Sequence, residues 1–161
     1  MNAIKTFLYM GAMHGFFTYY FPWQIASHDL GTVNIGLLRW LGVPLWSIGT
    51  LILLRCSIDI IRRGLGTPAH LDPPKALIMI GLYRYLRNPI YLGSLLIQLG
   101  TILWFGSTLL LPYFLFFIIA YHILIVFFEE PVLHKMFGAV YEEYVKEVPR
   151  WIPKLRGSDP K

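Results

Sequence analysis

From Asn88 to Phe128 the chain runs for 41 residues without an Asp, Glu, Lys or Arg. At about 1.5 Å per helical residue that stretch would reach about 61 Å, the thickness of two bilayer cores of about 30 Å. It therefore predicts a helical hairpin. Phe105-Gly106-Ser107-Thr108 marks the fold point, because glycine breaks a helix there, and Pro112 falls in the first turns of the second helix, where proline is best tolerated.

The rest of the chain is almost as poor in charge. Of 161 residues, 56% are apolar and 14% charged, against about 25% charged in an ordinary soluble domain. That composition excludes disorder and argues against a soluble globule. The length suits one domain, with no room for a separate catalytic module. The net charge of +5 comes with no basic stripe interleaved with exposed aromatics and no nucleic-acid motif, so the cations are expected at a membrane surface or an anionic small molecule. Cys56 is the only cysteine, which rules out an internal disulfide, and no Cys or His stands near it at metal-ligand spacing, so no metal is expected.

A second charge-free run, Thr6 to His28, is long enough for one span. A secretory signal peptide also begins with a cation such as Lys5, but its apolar core is shorter and ends in small residues, whereas Tyr19, Tyr20, Pro22 and Trp23 stand here. Between Ile35 and Ile61, Trp40 to Leu54 is uncharged; Arg39 can snorkel to one face, and Arg55, Asp59 and Arg62 can sit at the other. The expected fold is thus an all-α polytopic membrane bundle of about four transmembrane helices, at about 4–22, 36–61, 89–105 and 109–128. A loop, 62–88, and a tail, 129–161, complete the single membrane domain.

Lys and Arg crowd into that loop and tail and are absent from the loops around His28 to Asn34 and Gly106 to Thr108. By the positive-inside rule the loop, the tail and both termini are cytoplasmic. In the tail, Val132, Leu133, Met136, Phe137, Val140, Tyr141, Tyr144, Val145 and Val148 recur at helical spacing, which predicts one interfacial amphipathic helix stopped by Pro149 and Pro153.

Chemistry concentrates at the two ends of the hairpin. At its start stands Gly81-Leu82-Tyr83-Arg84-Tyr85-Leu86-Arg87-Asn88-Pro89-Ile90-Tyr91-Leu92-Gly93. Each residue has a structural reading: Asn88 as N-cap, Pro89 as first helical residue, arginines at the headgroups, tyrosines in the aromatic belt. Together they also form an anion site, with Arg87 the candidate to hold a carboxylate or phosphate beside the free N–H groups of a helix start. At its end stands Glu129-Glu130-Pro131. Two acids at a helix C-terminus oppose the macrodipole by about 0.3 to 1 kcal/mol each, so a cationic ligand or nearby arginines must favour them. His14, His122 and Gln98 are expected to hydrogen-bond between helices, and His70 and His134 to lie at the surface.

These residues resemble the isoprenylcysteine carboxyl methyltransferase family and the related phospholipid methyltransferases, membrane enzymes that use S-adenosylmethionine without a Rossmann fold. The shared pattern is Gly81 and Tyr83, Arg87-Asn88-Pro89-Ile90-Tyr91-Leu92-Gly93, and, past the hairpin, Glu129, Glu130, Leu133, Phe137, Gly138, Tyr141, Tyr144, Val148 and Pro149. It covers roughly the C-terminal 90 residues, and two separated motifs agree in spacing. The resemblance implies a cytoplasmic cofactor pocket lined by Ala76, Leu77 and Ile78, contacted by Tyr83, with Asn88, Pro89 and Tyr91 at its core. Glu129, with Glu130 beside it, would pair with the ammonium of the methionine moiety. Arg87, Asn88 and Tyr91 would be the catalytic group.

Two departures stand out. Asn88 replaces the family's histidine, and Ile125 stands where eukaryotic members carry an arginine linked to a carboxylate substrate. The second weighs against a prenylcysteine carboxylate as acceptor and leaves cofactor binding intact. The expected activity is methyl transfer to a lipophilic acceptor that enters from the bilayer. Two rivals are a nicotinamide-dependent sterol or isoprenoid reductase, which usually lacks the Glu-Glu pair, and a noncatalytic subunit or small transporter, which would set polar residues along a midplane path.

Overall fold

The computed structural model describes residues 11–63 and 77–155. Ala76, His70 and the first ten residues lie outside the described residues. All described secondary structure is helical, with no strand among these residues. Residues 11–27 are helical throughout; a π-turn, Gly15–Tyr20, leads into α1 (Phe21–Ser27). A 3₁₀ turn, Gly36–Leu41, opens α2 (Gly42–Arg63). A short 3₁₀ turn, Gly81–Arg84, precedes α3 (Pro89–Phe105). Next come α4 (Leu110–Ile123), a π-turn (Leu124–Glu129), α5 (Glu130–Phe137) and α6 (Ala139–Glu147).

Among the described residues two helices, not four, are long and apolar enough to cross a membrane: Gly36–Ile60 and Leu110–Phe137. The apolar helix Pro89–Phe105 has 17 residues, about 25 Å at 1.5 Å per residue, which is short of a bilayer core of about 30 Å. The expected hairpin is made of α3 and α4. Gly106 joins them at φ 65°, the left-handed conformation that glycine adopts without a side-chain clash, and its N–H returns to the Ile102 carbonyl at 2.8 Å. Pro112 is the third residue of α4.

The tail departs from the expected single helix. Gly138, at φ 49°, breaks it into α5 and α6, so the apolar side of α6 is re-aimed at the preceding loop. Tyr141, Tyr144 and Val148 are buried there against Leu77, Met79, Leu133 and Phe137.

In lipid, apolar helices gain little by hiding apolar surface from one another, so packing decides which of them associate. The closest packing is between α2 and α3, which run antiparallel and touch through glycines. A Cβ on Gly49 would stand 2.5 Å from the Gly93 carbonyl oxygen, and one on Gly42 2.5 Å from that of Gly100. Toward the loop end the seam passes into a cluster of Leu53, Cys56, Ile60, Ile90 and Ile97. The N-terminal helix closes a second side. His14 Nδ1 lies 2.9 Å from Ser94 Oγ, and the Tyr19 hydroxyl donates to Thr50 Oγ1 at 3.0 Å. His14 thus bonds between helices as expected. Gln98 does not: it is 1% exposed, and neither of its amide atoms has a partner among the described residues.

At the other end, one buried carboxylate organises the turns. Asp29 accepts from Ser107 Oγ at 2.6 Å, the Leu109 N–H at 3.1 Å and the Gly31 N–H at 2.7 Å, which ties the residues after α1 to the start of α4. These donors, Ser107 first and then Leu109, hold the Asp29 carboxyl below its ordinary range.

Two outcomes follow. Replacing Gly49 with Ala forces α2 and α3 apart and should cost about 1 to 3 kcal/mol, read as a lower melting temperature in detergent by circular dichroism. Gly15→Ala, where a Cβ meets nothing within 4 Å, should leave it unchanged. The stability Asp29 contributes is present above its unfolded pKa of about 3.9 and lost as pH falls through the lower folded value. The gap in melting temperature between wild type and Asp29→Asn should therefore be full near pH 6 and close progressively below about pH 4.

Candidate functional site

The site forms where three segments meet at the loop end of the bundle: residues 77–91, the start of α5, and residues 141–154. Backbone bonds lace the first to the last. The Arg87 N–H donates to the Pro149 carbonyl at 3.0 Å, and the Lys154 N–H to the Tyr85 carbonyl at 3.1 Å. The Tyr144 hydroxyl donates to the Tyr83 carbonyl at 2.8 Å. The expected N-cap role of Asn88 is not observed: no side-chain cap bond is made, and Asn88 Nδ2 donates to the Arg150 carbonyl at 3.2 Å. Pro89 is the first residue of α3 and needs no N–H there.

The two adjacent acids have different partners. Glu130 accepts from Arg87 Nη1 at 2.9 Å and takes a two-pronged contact from Arg150, with Nε at 2.8 Å to Oε1 and Nη2 at 2.8 Å to Oε2. The Arg87 side chain is 9% exposed, so the clamp is screened from water on that side, and such charge-assisted bonds are the stronger kind. The bonds to Glu130 hold the Arg150 guanidinium above its ordinary range. Arg150 was not anticipated, because it lies 20 residues beyond its partner, past two helices and outside the quoted motif.

Glu129 faces elsewhere. Its carboxylate accepts from the hydroxyl of Tyr91, in the first turn of α3, and no Lys or Arg pairs with it among the described residues. Tyr91 is itself packed on Tyr121 of α4, with ring centroids 4.7 Å apart. Tyr83 lies between α2 and this pair. Burial, together with the nearby Cys56, Tyr144 and Glu129, holds its phenol well above the ordinary range, so it stays a neutral donor. Burial likewise raises the Tyr144 and Tyr141 phenols, with Glu130 adding to the second.

The predicted residues therefore divide. Tyr83, Tyr91 and Glu129 are brought together, and Arg87 and Glu130 form an ion pair beside them. Ile78 packs with the Cys56 and Ile90 cluster, and Leu77 with Tyr141 and Tyr144. Asp59, expected only to sit with Arg55 and Arg62 at one face of the bilayer, is a further acid at this end and lies i,i+4 from Arg55. That pair forms, at 3.3 Å, and Asp59 also presses on Gly81, where a Cβ would stand 2.6 Å from its Oδ2. His122 meets the tail through Trp151 Nε1 at 3.3 Å, and His134 is exposed and paired with Glu142 at 2.9 Å.

Residues 37–140 match the family model described as phospholipid methyltransferase, which is more than half of the chain and includes the first motif half and the second from Glu129 to Gly138. The chain belongs to the phospholipid methyltransferase family. A search of curated proteins found no match, and neither did a search of solved structures. Membership of this family, with the two long apolar helices, marks the chain as a membrane protein of the methyltransferase kind.

The division of the glutamates is testable through stability alone. Glu130→Gln leaves Arg87 and Arg150 facing each other without an acid and should destabilise the docked tail by about 1 to 3 kcal/mol. The readout is faster proteolytic cleavage after α5. Glu129→Gln, which keeps a partner for Tyr91, should cleave at the wild-type rate.

Proposed function

We propose that the protein is an S-adenosylmethionine-dependent methyltransferase acting on a lipophilic, membrane-borne acceptor. The observation that carries the reading is Glu129: a half-buried carboxylate fixed by a neutral tyrosine, beside an acid that has taken both neighbouring arginines. A carboxylate held without a cation in a screened site favours a positively charged ligand, and the ammonium of the methionine moiety meets that need. The donor set fits the cofactor without any metal. When bound, the cofactor supplies a methyl group on a sulfonium, whose transfer is an in-line displacement that depends mainly on positioning.

In this reading Tyr91 orients Glu129, and Glu129 and Glu130 hold the start of α5 against α3. Arg87 has one buried donor, Nε, with no acceptor among the described residues, and we assign it to an anionic group of cofactor or acceptor. Asn88 and Pro89 set the entrance of α3, and Tyr83, Leu77 and Ile78 border the pocket. The acceptor enters sideways from lipid. Ile125 is fully buried and apolar where the family resemblance has an arginine, which favours an acceptor without a carboxylate. We place four spans, at 4–22, 36–61, 89–105 and 109–128, with both termini and the site on the cytoplasmic face, as the distribution of Lys and Arg requires.

The deciding experiment titrates S-adenosylmethionine into the detergent-purified protein by calorimetry, then supplies methyl-labelled cofactor with a total lipid extract. Binding is expected, with label appearing in the lipid phase. Glu129→Gln should raise the dissociation constant at least tenfold at an unchanged melting temperature. Equal affinity in the variant removes Glu129 from the site, and absence of binding by folded wild type sinks the methyltransferase reading.

A further inference from the structure

At the end of α2 and α3 remote from Glu129, the glycine seam opens into a groove of about 180 Å³. Its floor is Gly42 and Gly100, and its walls are Trp23, Trp46, Trp104 and Phe105. The lining is apolar. The hydroxyl of Thr101, which also borders the groove, is spent on the Ile97 carbonyl at 2.9 Å. The groove runs beside this close contact, where a Cβ on either glycine would meet the backbone of the facing helix and the indoles of Trp46 and Trp104 stand apart. Water gains nothing in such a lining, and an empty space forfeits dispersion contacts on every wall.

One cation stands at the rim. Arg39, in the turn Gly36–Leu41, carries its guanidinium 4.9 Å over the Trp104 ring, and no ion pair or hydrogen bond joins it to any described residue. It was expected only to snorkel. From residue 11 to residue 54 the chain has two charged side chains, Asp29 and Arg39, and Asp29 is consumed by its turn. A lone arginine on the face otherwise poor in cations runs against the topological distribution, so orientation does not account for it. Indoles mark the headgroup depth of a bilayer, and Trp23, Trp40 and Trp46 are all exposed here, which sets Arg39 level with lipid phosphates.

We propose that this groove is a phospholipid site, with an acyl chain lying on Gly42 and Gly100 between the indoles and the phosphate held by Arg39. The chemistry is complementary at both ends: an apolar groove for a chain, and a guanidinium fork that suits phosphate oxygens. The site is separate from the proposed transfer site. Trp104 lies 13 residues along α3 from Tyr91, about 20 Å at 1.5 Å per residue, so the bound lipid is not the methyl acceptor.

Native mass spectrometry of the detergent-purified chain, with added phosphatidylglycerol or with diacylglycerol of the same chains, tests the proposal. Wild type should retain one phosphatidylglycerol per chain under activation that strips the micelle, and should not retain diacylglycerol. Arg39→Gln removes the cation. Val43→Phe adds bulk at an exposed groove-lining position without touching the seam glycines. Each should lower retention at least fivefold at an unchanged melting temperature. Retention unaffected in both variants, diacylglycerol held as well as phosphatidylglycerol, or no lipid retained by wild type would each overturn it.

Discussion

The backbone contact between α2 and α3 sets the geometry of everything at the functional end. Gly42 and Gly49 are seven residues apart on one helix, and Gly93 and Gly100 on the other, so one antiparallel register brings both pairs together. A slip by one residue would drive side chains into carbonyl oxygens. With the register held, Cys56 and Asp59 of α2 come level with Tyr83 and Gly81, and the left-handed turn at Gly81, φ 57°, passes against Asp59 with no Cβ to obstruct it. The position of Tyr83, and through α3 that of Tyr91, is therefore fixed by contacts along the length of the bundle. Packing of this kind suits a lipid setting, where small residues admit close approach and apolar area alone discriminates nothing.

Adjacent residues on a helix point about 100° apart, and the glutamate pair makes use of that angle. Glu130 looks toward the tail and is neutralised by Arg87 and Arg150; Glu129 looks toward α3 and is met by a neutral hydroxyl. An acid saturated by two arginines has little left for a ligand, and one met only by a phenol has most of its charge still uncompensated. The helix runs on through the pair to Phe137, so the expected opposition to a helix end does not arise, and the two acids divide instead into one that docks the tail and one that, on the proposed reading, attracts the ligand.

Much of the helical pattern was legible because lipid imposes a simple code on the chain. The uncharged run after Arg87 and the glycine at 106 define α3, its turn and α4, since both signals are local. The family resemblance set Tyr91 and Glu129 at one pocket, and they bond to each other although they are 38 residues apart in sequence. What could not be read depended on direction. The break at Gly138 was hidden because apolar residues keep helical spacing on both sides of it, and only the left-handed φ there turns α6 onto Leu77 and Met79. Asn88 resembles an N-cap in any local window, and its bond to Arg150 arises from the returning tail. Arg150 had no neighbour in sequence to announce its partner.

The tail docks across residues 83–88, and on the proposed reading it covers the site, so that the covering is coupled to the ligand. Glu129 and Glu130 share a peptide bond, and whatever fixes one restrains the start of α5 for the other. A ligand that binds only the docked arrangement stabilises it by mass action, about 2.7 kcal/mol at 100 times its dissociation constant, comparable to the worth of the Glu130 clamp itself. On that reading ligand and clamp support the same conformation through one turn of helix. The clamp holds α5 in place before the ligand arrives, which lowers the ordering cost of binding, and the ligand repays part of that by holding the tail. On the proposed reading this coupling depends on the adjacency of the two acids: separated along the chain, they would still dock a tail and attract a cation, but neither event would reinforce the other.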